Sequence, residues 1–380
     1  MLEERKDILI SGASIAGLTM AYWLYKYGYK VTVIEIANAP RKGGSPIDIK
    51  GDAVGVVRKM NIYDAITKKK VTTENVCFVN DKDKIIASMN PSIMDDKIGE
   101  DIEIQREFLV NILYEEVKDS VNFIFEDTII KIENNSDNAI VHFKKKKSEA
   151  FHLVIGADGL HSNVRKLVFG KEETFSNYYG MYAGVVDIEI DENRKNNCIL
   201  YNTSGKMAGI YNFNNKANAI LVFHSKEQII YDYKNTKEQK EVLNKMFFNE
   251  GWKVPLILQK FNESETLYFD AVSQIKMDNW SKNRVVLIGD AAYCASFLTG
   301  RGASLAVLGA YTLAEAIKDS EENYSEAFQK YQKRFEPIAN KAQSSIKAGA
   351  LFLVPKTGIS KLIRNLLVKT LVPLINILRK

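Results

Sequence analysis

The chain opens on an apolar run, Asp7 to Ser11, short enough to be a buried strand. Apolar residues then recur at helical spacing from Ile15 to Gly28, where the glycine is placed as a C-terminal stop. Val31 to Ile36, VTVIEI, is a second run rich in β-branched residues. Strand, helix and strand within about thirty residues predict a βαβ unit. Helical patterns follow at Ala53–Met60 and Gln105–Val117. Strand patterns occupy Val76–Asn80, Lys84–Met89, Val121–Phe125, Thr128–Glu133, Ala139–Lys144 and Phe151–Gly156. Between about Phe175 and Gln274 the texture changes. MYAGVVDIEI, CILYNT, MAGIYNF and AILVFH alternate apolar and polar positions between Asn, Gly and Lys turns, which predicts an antiparallel sheet. A helix at Lys237–Phe248 covers it. Arg284–Ile288 is again a buried-strand run, followed by long helices at Gly302–Ile317 and Tyr324–Ala350 and an amphipathic segment from Ile359 to the end.

Composition narrows the picture. With 380 residues there is room for two domains, and 46% hydrophobic with 26% charged residues is ordinary for a globular protein. The net charge of +5 is scattered apart from Lys144–Lys147, which reads as a solvated hairpin rim, so no nucleic-acid partner is expected. Cys77, Cys198 and Cys294 form no CxxC pair, and His152 and His161 have no zinc-type partners, so no metal is expected. The N-terminus MLEERKDILISGAS lacks the apolar core of a signal peptide, and no stretch reaches eighteen uninterrupted apolar residues. A cytoplasmic monomer is expected.

Three motifs carry chemistry. Gly12-Ala13-Ser14-Ile15-Ala16-Gly17 matches GxGxxG with Ser14 at the middle glycine. Gly12 permits the tight strand-to-helix turn, Gly17 lets helix and strand approach, and the helix N-terminus offers N–H groups to a pyrophosphate. Glu35 follows eighteen residues after Gly17, at the end of the second strand, where a carboxylate accepts from a ribose 2′-OH and disfavours a 2′-phosphate. FAD or NAD is therefore expected there. The second motif, Gly156-Ala157-Asp158-Gly159 with Ser162 and Arg165, is either a ligand loop or a turn that caps a helix at Ser162. The third is Gly289-Asp290, with Gly300-Arg301-Gly302-Ala303 opening a long helix. Asp290 leaves a buried strand and can reach a ribityl hydroxyl. The alternative is a glycine-capped loop.

In this order the three motifs resemble the class A FAD-dependent monooxygenases of the para-hydroxybenzoate hydroxylase type, over residues 6 to 345. Ala21-Tyr22-Trp23-Leu24, Arg41-Lys42-Gly43-Gly44 with Asp48, Asn61-Ile62-Tyr63-Asp64, Phe269-Asp270-Ala271 and the Gly289–Cys294 run are most similar to the tetracycline-inactivating members. The resemblance implies an α/β fold: a Rossmann-like FAD-binding domain (1–72, 100–174, 275–345), a discontinuous β-rich substrate domain (73–99, 175–274) and a C-terminal bridging helix (346–380). It implies that Glu35 and Arg41 hold the adenosine end of FAD, with Lys42 also among the cofactor contacts. Asp48 and Arg106 lie near the ring, Asp290 holds the ribityl-pyrophosphate region, and Asp158 serves FAD and NAD(P)H. Ile129 joins the cofactor contacts. The sequence departs from the family at Ser296 and Phe297, where relatives carry prolines, and at Arg301 in the family's GQGxN loop.

The implied reaction consumes NAD(P)H as a transient co-substrate and hydroxylates an aromatic or polyketide molecule, a tetracycline-like antibiotic among them, through a flavin C4a-hydroperoxide. The flavin carries the chemistry, so no catalytic side chain is assigned. The alternative is a FAD-dependent reductase or dehydrogenase without stable oxygen activation. A flavin halogenase is disfavoured because Trp23, Trp252 and Trp280 are isolated, and a non-catalytic FAD-binding sensor is the remaining reading. Substrate contacts are expected from Tyr211, Phe213, Phe223, His224 and Phe297, each of which could equally be a core residue. The C-terminal segment has three readings: a helix that bridges the domains and closes the site, a helix packed on the core, or a basic amphipathic helix lying on a membrane.

Overall fold

Asp7–Ser11 (β1), Ile15–Lys26 (α1) and Lys30–Glu35 (β2) form the expected βαβ unit. The computed structural model describes residues 6–41, 43–96, 100–190, 192–233, 235–321 and 323–378. The chain divides into two compact units: Met1–Lys70, Glu100–Asn177 and Ser273–Ser344, and Val71–Gly99, Tyr178–Val272 and Ser345–Lys380.

In the first unit six strands among the described residues form one sheet, in the order Ser281–Lys282, Val285–Leu287, Leu153–Gly156, β1, β2, Asn122–Phe125. All pairs are parallel except the Ser281–Lys282 edge. Parallel strands need both faces covered, which is why these segments read as continuous apolar runs. α1 is apolar all round because it is buried all round, from Ile15 to Leu24, between the sheet and the helix Gly302–Lys318. The sequence pattern missed the short pair Pro46–Ile49 and Ile102–Gln105, whereas the helix Asn163–Val168 starts at Ser162, as the capping alternative expected. It also predicted one helix over Tyr324–Ala350. The structure has Tyr324–Ser344 and Ile346–Leu353, and the break at Ser345 falls where the chain passes from one unit to the other.

The second unit is a seven-stranded sheet among the described residues, antiparallel except where Asn197–Thr203 runs parallel to Asn75–Val79. Alternation sorts its side chains. Tyr182, Val186, Ile210, Leu221 and Phe223 face the helices Thr236–Phe247 and Val254–Glu263, the second of which has no counterpart in the sequence expectations. Tyr182 is stacked between Phe223 and Phe269, with ring centroids 5.5 and 5.6 Å away. Met207, Tyr211 and Phe213 and, on the adjoining strand, Val222 and His224 take the opposite face. The C-terminal residues belong to this unit, where Gly205 N donates to Pro355 O at 3.0 Å and Asn202 Nδ2 to Leu353 O at 2.8 Å.

Candidate cofactor site

The strand-to-helix turn after β1 can be made only with glycine. Gly12 has φ +109, and a Cβ there would lie 2.5 Å from the Ala157 carbonyl oxygen. A Cβ on Gly17 would lie 1.9 Å from the Gly12 oxygen. The first-turn amides of α1 are without helical acceptors, as at any helix start, and they form the floor of an anion site. Ile15 and Ala16 contribute that backbone; their side chains are buried.

Glu35 shapes the turn directly. Its Oε2 accepts from Ala13 N at 2.8 Å and its Oε1 from Ala37 N at 3.0 Å. The carboxylate is therefore oriented before any ligand arrives, with further lone pairs left to accept from a ribose hydroxyl. Arg106, at the start of the helix Arg106–Glu115, reaches back to donate from Nη2 to Ser14 Oγ at 2.8 Å. Gly44 abuts the same arginine: a Cβ there would touch its side chain at 3.4 Å. Burial pushes the Arg106 pKa down to about 10, helped by Arg41 and opposed by Asp290 and Glu35. It remains a cation at neutral pH, poised over an anion-binding turn.

Asp290 completes the ring of groups. It begins a short helix after Gly289, whose Cβ would meet Ala16 at 3.0 Å. The residue keeps solvent-exposed surface, with protein packed around its carboxylate. That enclosure raises its pKa, against the stabilising influence of Cys294 and Arg106. Asp48 lies beside Gly300, where a Cβ would be 3.3 Å from its Oδ2, and pairs with Lys50 at 3.6 Å. Burial raises its pKa; Lys50 and Arg301 oppose. Gly302 and Ala303 open the helix Gly302–Lys318.

The other expected residues are placed as follows. Asp158 is occupied as a cap: it accepts from Ser162 Oγ and from Val164 N at 3.0 Å, and Ser162 in turn accepts from Arg165 N. Its loop still packs against Gly12 through the Ala157 carbonyl. Ile129 is buried, and its carbonyl accepts from Asn163 Nδ2 at 2.7 Å. Lys42 lies outside the described residues. Arg41 is exposed. In the second unit Tyr211 shares a 2.5 Å hydrogen bond with Thr73 and packs with Phe213 and Val71. Phe223 has no exposed surface and sits in the helix-backed core. His224 spans two backbone carbonyls, Gly180 at 3.3 Å and Val354 at 3.0 Å. Phe297 in the first unit is 43% exposed.

Two residues to which the sequence reading gave no role position the motifs. Arg165, fully buried, donates to Ala291 O, Leu160 O and Glu172 Oε2 at 2.9, 2.6 and 2.8 Å, tying the second motif to the third. Ser304 donates to Asp48 O at 2.8 Å and accepts from Lys50 N at 2.9 Å, fixing the Asp48 strand to the helix start. A single arginine or serine carries no spacing signal, so local pattern could not assign either one its role.

The residues fit a dinucleotide. There is a glycine cradle that a Cβ would fill, a helix start with one guanidinium beside it, and two carboxylates. No group of His, Cys, Asp or Glu suited to a metal occurs among the described residues. The family described as FAD binding domain matches residues 5–345. A flavin-dependent monooxygenase of Legionella longbeachae serogroup 1 is 36% identical over 339 residues, 85% of this chain and 83% of that protein. Crystal structures of the tetracycline destructases Tet(51) and Tet(55) match with TM-scores of 0.85 and 0.84 at 30% and 32% identity. The first match covers 99% of this chain and 98% of the other, and the second covers 98% and 97%. Sequence, fold and cofactor geometry agree: the chain belongs to the FAD-binding-domain family and is a FAD-dependent monooxygenase.

Proposed function

We propose that the enzyme consumes NAD(P)H and O₂ to hydroxylate an aromatic or polyketide small molecule, with tetracycline-like compounds the leading candidates. The observation that carries this reading is the near full-length similarity, second unit included, to two tetracycline destructases at 30% identity or above. FAD, when bound, supplies the redox chemistry, taking two electrons from NAD(P)H and passing one oxygen atom of O₂ to substrate while the other leaves as water. The chain's own work is to bind and orient. The α1 start and Arg106 meet the pyrophosphate, Glu35 the ribose, and Asp290 the ribityl region. Asp48, held by Ser304, faces the ring region. Tyr211 and Phe213, buried against each other and Val71 on the sheet face away from the covering helices, would back a planar substrate rather than present an open surface to it.

NAD(P)H oxidation by the FAD-loaded enzyme, measured with and without tetracycline and a panel of planar aromatics, tests the reading. One compound should accelerate oxidation and gain one oxygen atom by mass spectrometry. If no compound does both, the monooxygenase substrate class is wrong. The second reading, a FAD-dependent reductase, is favoured by Arg301, which places a cation near Asp48. It predicts a reduced organic product without O₂.

A further inference from the structure

The last helix is Gly358–Leu378, and over residues 358–370 it is inside out. It packs on the strand Ile85–Met89 and the turn Pro91–Met94 of its own unit. The residues it buries there are Arg364, Asn365 and Val368, at 5, 8 and 3% exposure. Arg364 stacks 3.7 Å from the Phe78 ring centroid. Its guanidinium donates to Asn202 Oδ1 at 2.9 Å, Phe352 O at 2.7 Å and Asn365 Oδ1 at 2.8 Å. Lys361 Nζ adds a bond to Asn202 O at 3.2 Å. A guanidinium held this way sets the rotation of the helix, because turning it out would strip a buried network of its donors.

The opposite face is aliphatic. Ile359, Leu362, Ile363 and Leu366 fall at i, i+3, i+4 and i+7, with Leu367 beside them, and they are 72, 67, 53, 61 and 47% exposed. A surface helix ordinarily buries such a stripe and shows its polar side to water. From Ser345 to Lys380 the chain contains no Asp or Glu. Exposed Lys356 and Lys369 bracket the stripe, and Arg379 and Lys380 end the sequence. A second copy laid face to face would set these cations against themselves. An anionic bilayer surface suits both features, taking leucines at the acyl boundary and lysines at the headgroups. No helix among the described residues is long and apolar enough to cross a membrane. We propose that this helix docks the enzyme on an anionic lipid surface, lying in the interface plane with Ile359, Leu362, Ile363, Leu366 and Leu367 inserted.

Co-sedimentation of the FAD-loaded full-length protein with vesicles tests this, using phosphatidylcholine alone and phosphatidylcholine mixed with phosphatidylglycerol. Binding is expected on the mixed vesicles and should weaken with salt. The double variant Leu362→Glu/Leu366→Glu should bind at least about tenfold less, with FAD content and melting temperature unchanged because both side chains face water. Leu362→Ser/Leu366→Ser should fall between. Absence of binding by the native protein, or equal binding by the double variant, overturns the proposal. Equal binding to both vesicle types overturns the anionic part of it. Self-association that the double variant abolishes, without vesicle binding, assigns the stripe to a second copy and overturns it as well.

Discussion

A Cβ added at Gly17 in the first unit would lie 1.9 Å from the Gly12 carbonyl oxygen, whereas at Gly184 in the second it would lie 2.9 Å from a Leu243 methyl. Both approaches are tight, but the obstacles differ in kind. A backbone carbonyl in a tight turn, fixed by the Gly12 N–H bond to the Ile34 carbonyl, has little room to move, while the end of a leucine can change rotamer. The cofactor unit is thus held to one backbone geometry around its turns. The β-rich unit is held by side-chain packing against two helices, which accepts substitution at modest cost.

The largest expected effect tests that contrast directly. Gly17→Ala should cost the first unit more than about 4 kcal/mol, the range of severe backbone clashes, and abolish FAD retention. Gly184→Ala should cost roughly 1–3 kcal/mol, as for ordinary overpacking, and leave FAD bound. Urea unfolding followed by flavin fluorescence separates them, and equal costs would erase the distinction. Next comes Arg165→Met, expected to destabilise by roughly 3–5 kcal/mol because Glu172 loses its buried partner. Differential scanning calorimetry should show the loss in the flavin-dependent transition; a shift confined to the other unit would contradict the role given to Arg165.

Asp290→Ala acts on binding more than on folding. Loss of a charge-assisted hydrogen bond should weaken FAD by roughly 1.5–3 kcal/mol, about ten- to a hundredfold in Kd by fluorescence titration. Unchanged affinity would mean the carboxylate is only a helix-start charge. The smallest effect concerns Asp48. Burial raises its folded-state pKa, so its ionised form is disfavoured in the folded protein. That penalty is fully present above the folded pKa and vanishes as pH falls below the ordinary carboxylate range. Asp48→Asn should therefore raise the apo melting temperature at pH 7 by at most about 2 °C, with the gain gone in acid. A gain that grows toward low pH would refute this sign.

Much of the first unit was legible in advance because its signals are local. Gly12, Gly17 and Glu35 are set by the geometry of one turn and one strand end, and Asp290 by a strand that stops. Asp158 was read both ways, and the structure shows it capping a helix through Ser162 and Val164. The Pro46–Ile49 strand went unseen because four residues carry too little periodicity, and its partner lies fifty residues on. The role of Arg165 went unassigned because its partners, Leu160, Glu172 and Ala291, converge only on folding.

By itself the sequence determined the βαβ opening, the order of the three motifs, the alternating texture of the inserted sheet and hence an α/β flavoprotein. These follow from side-chain period and from the few residues that tolerate positive φ, both properties of a short stretch of chain. Which side of an element faces protein was a tertiary decision. Phe223 and His224 are neighbours in one strand, yet one is sealed under helices and the other bonds the backbone of Val354. The last helix has an aliphatic stripe that two of the three sequence readings would bury against protein. Folding turned it outward, because Phe78 and Asn202 on the sheet offered Arg364 a better site than they offered leucine.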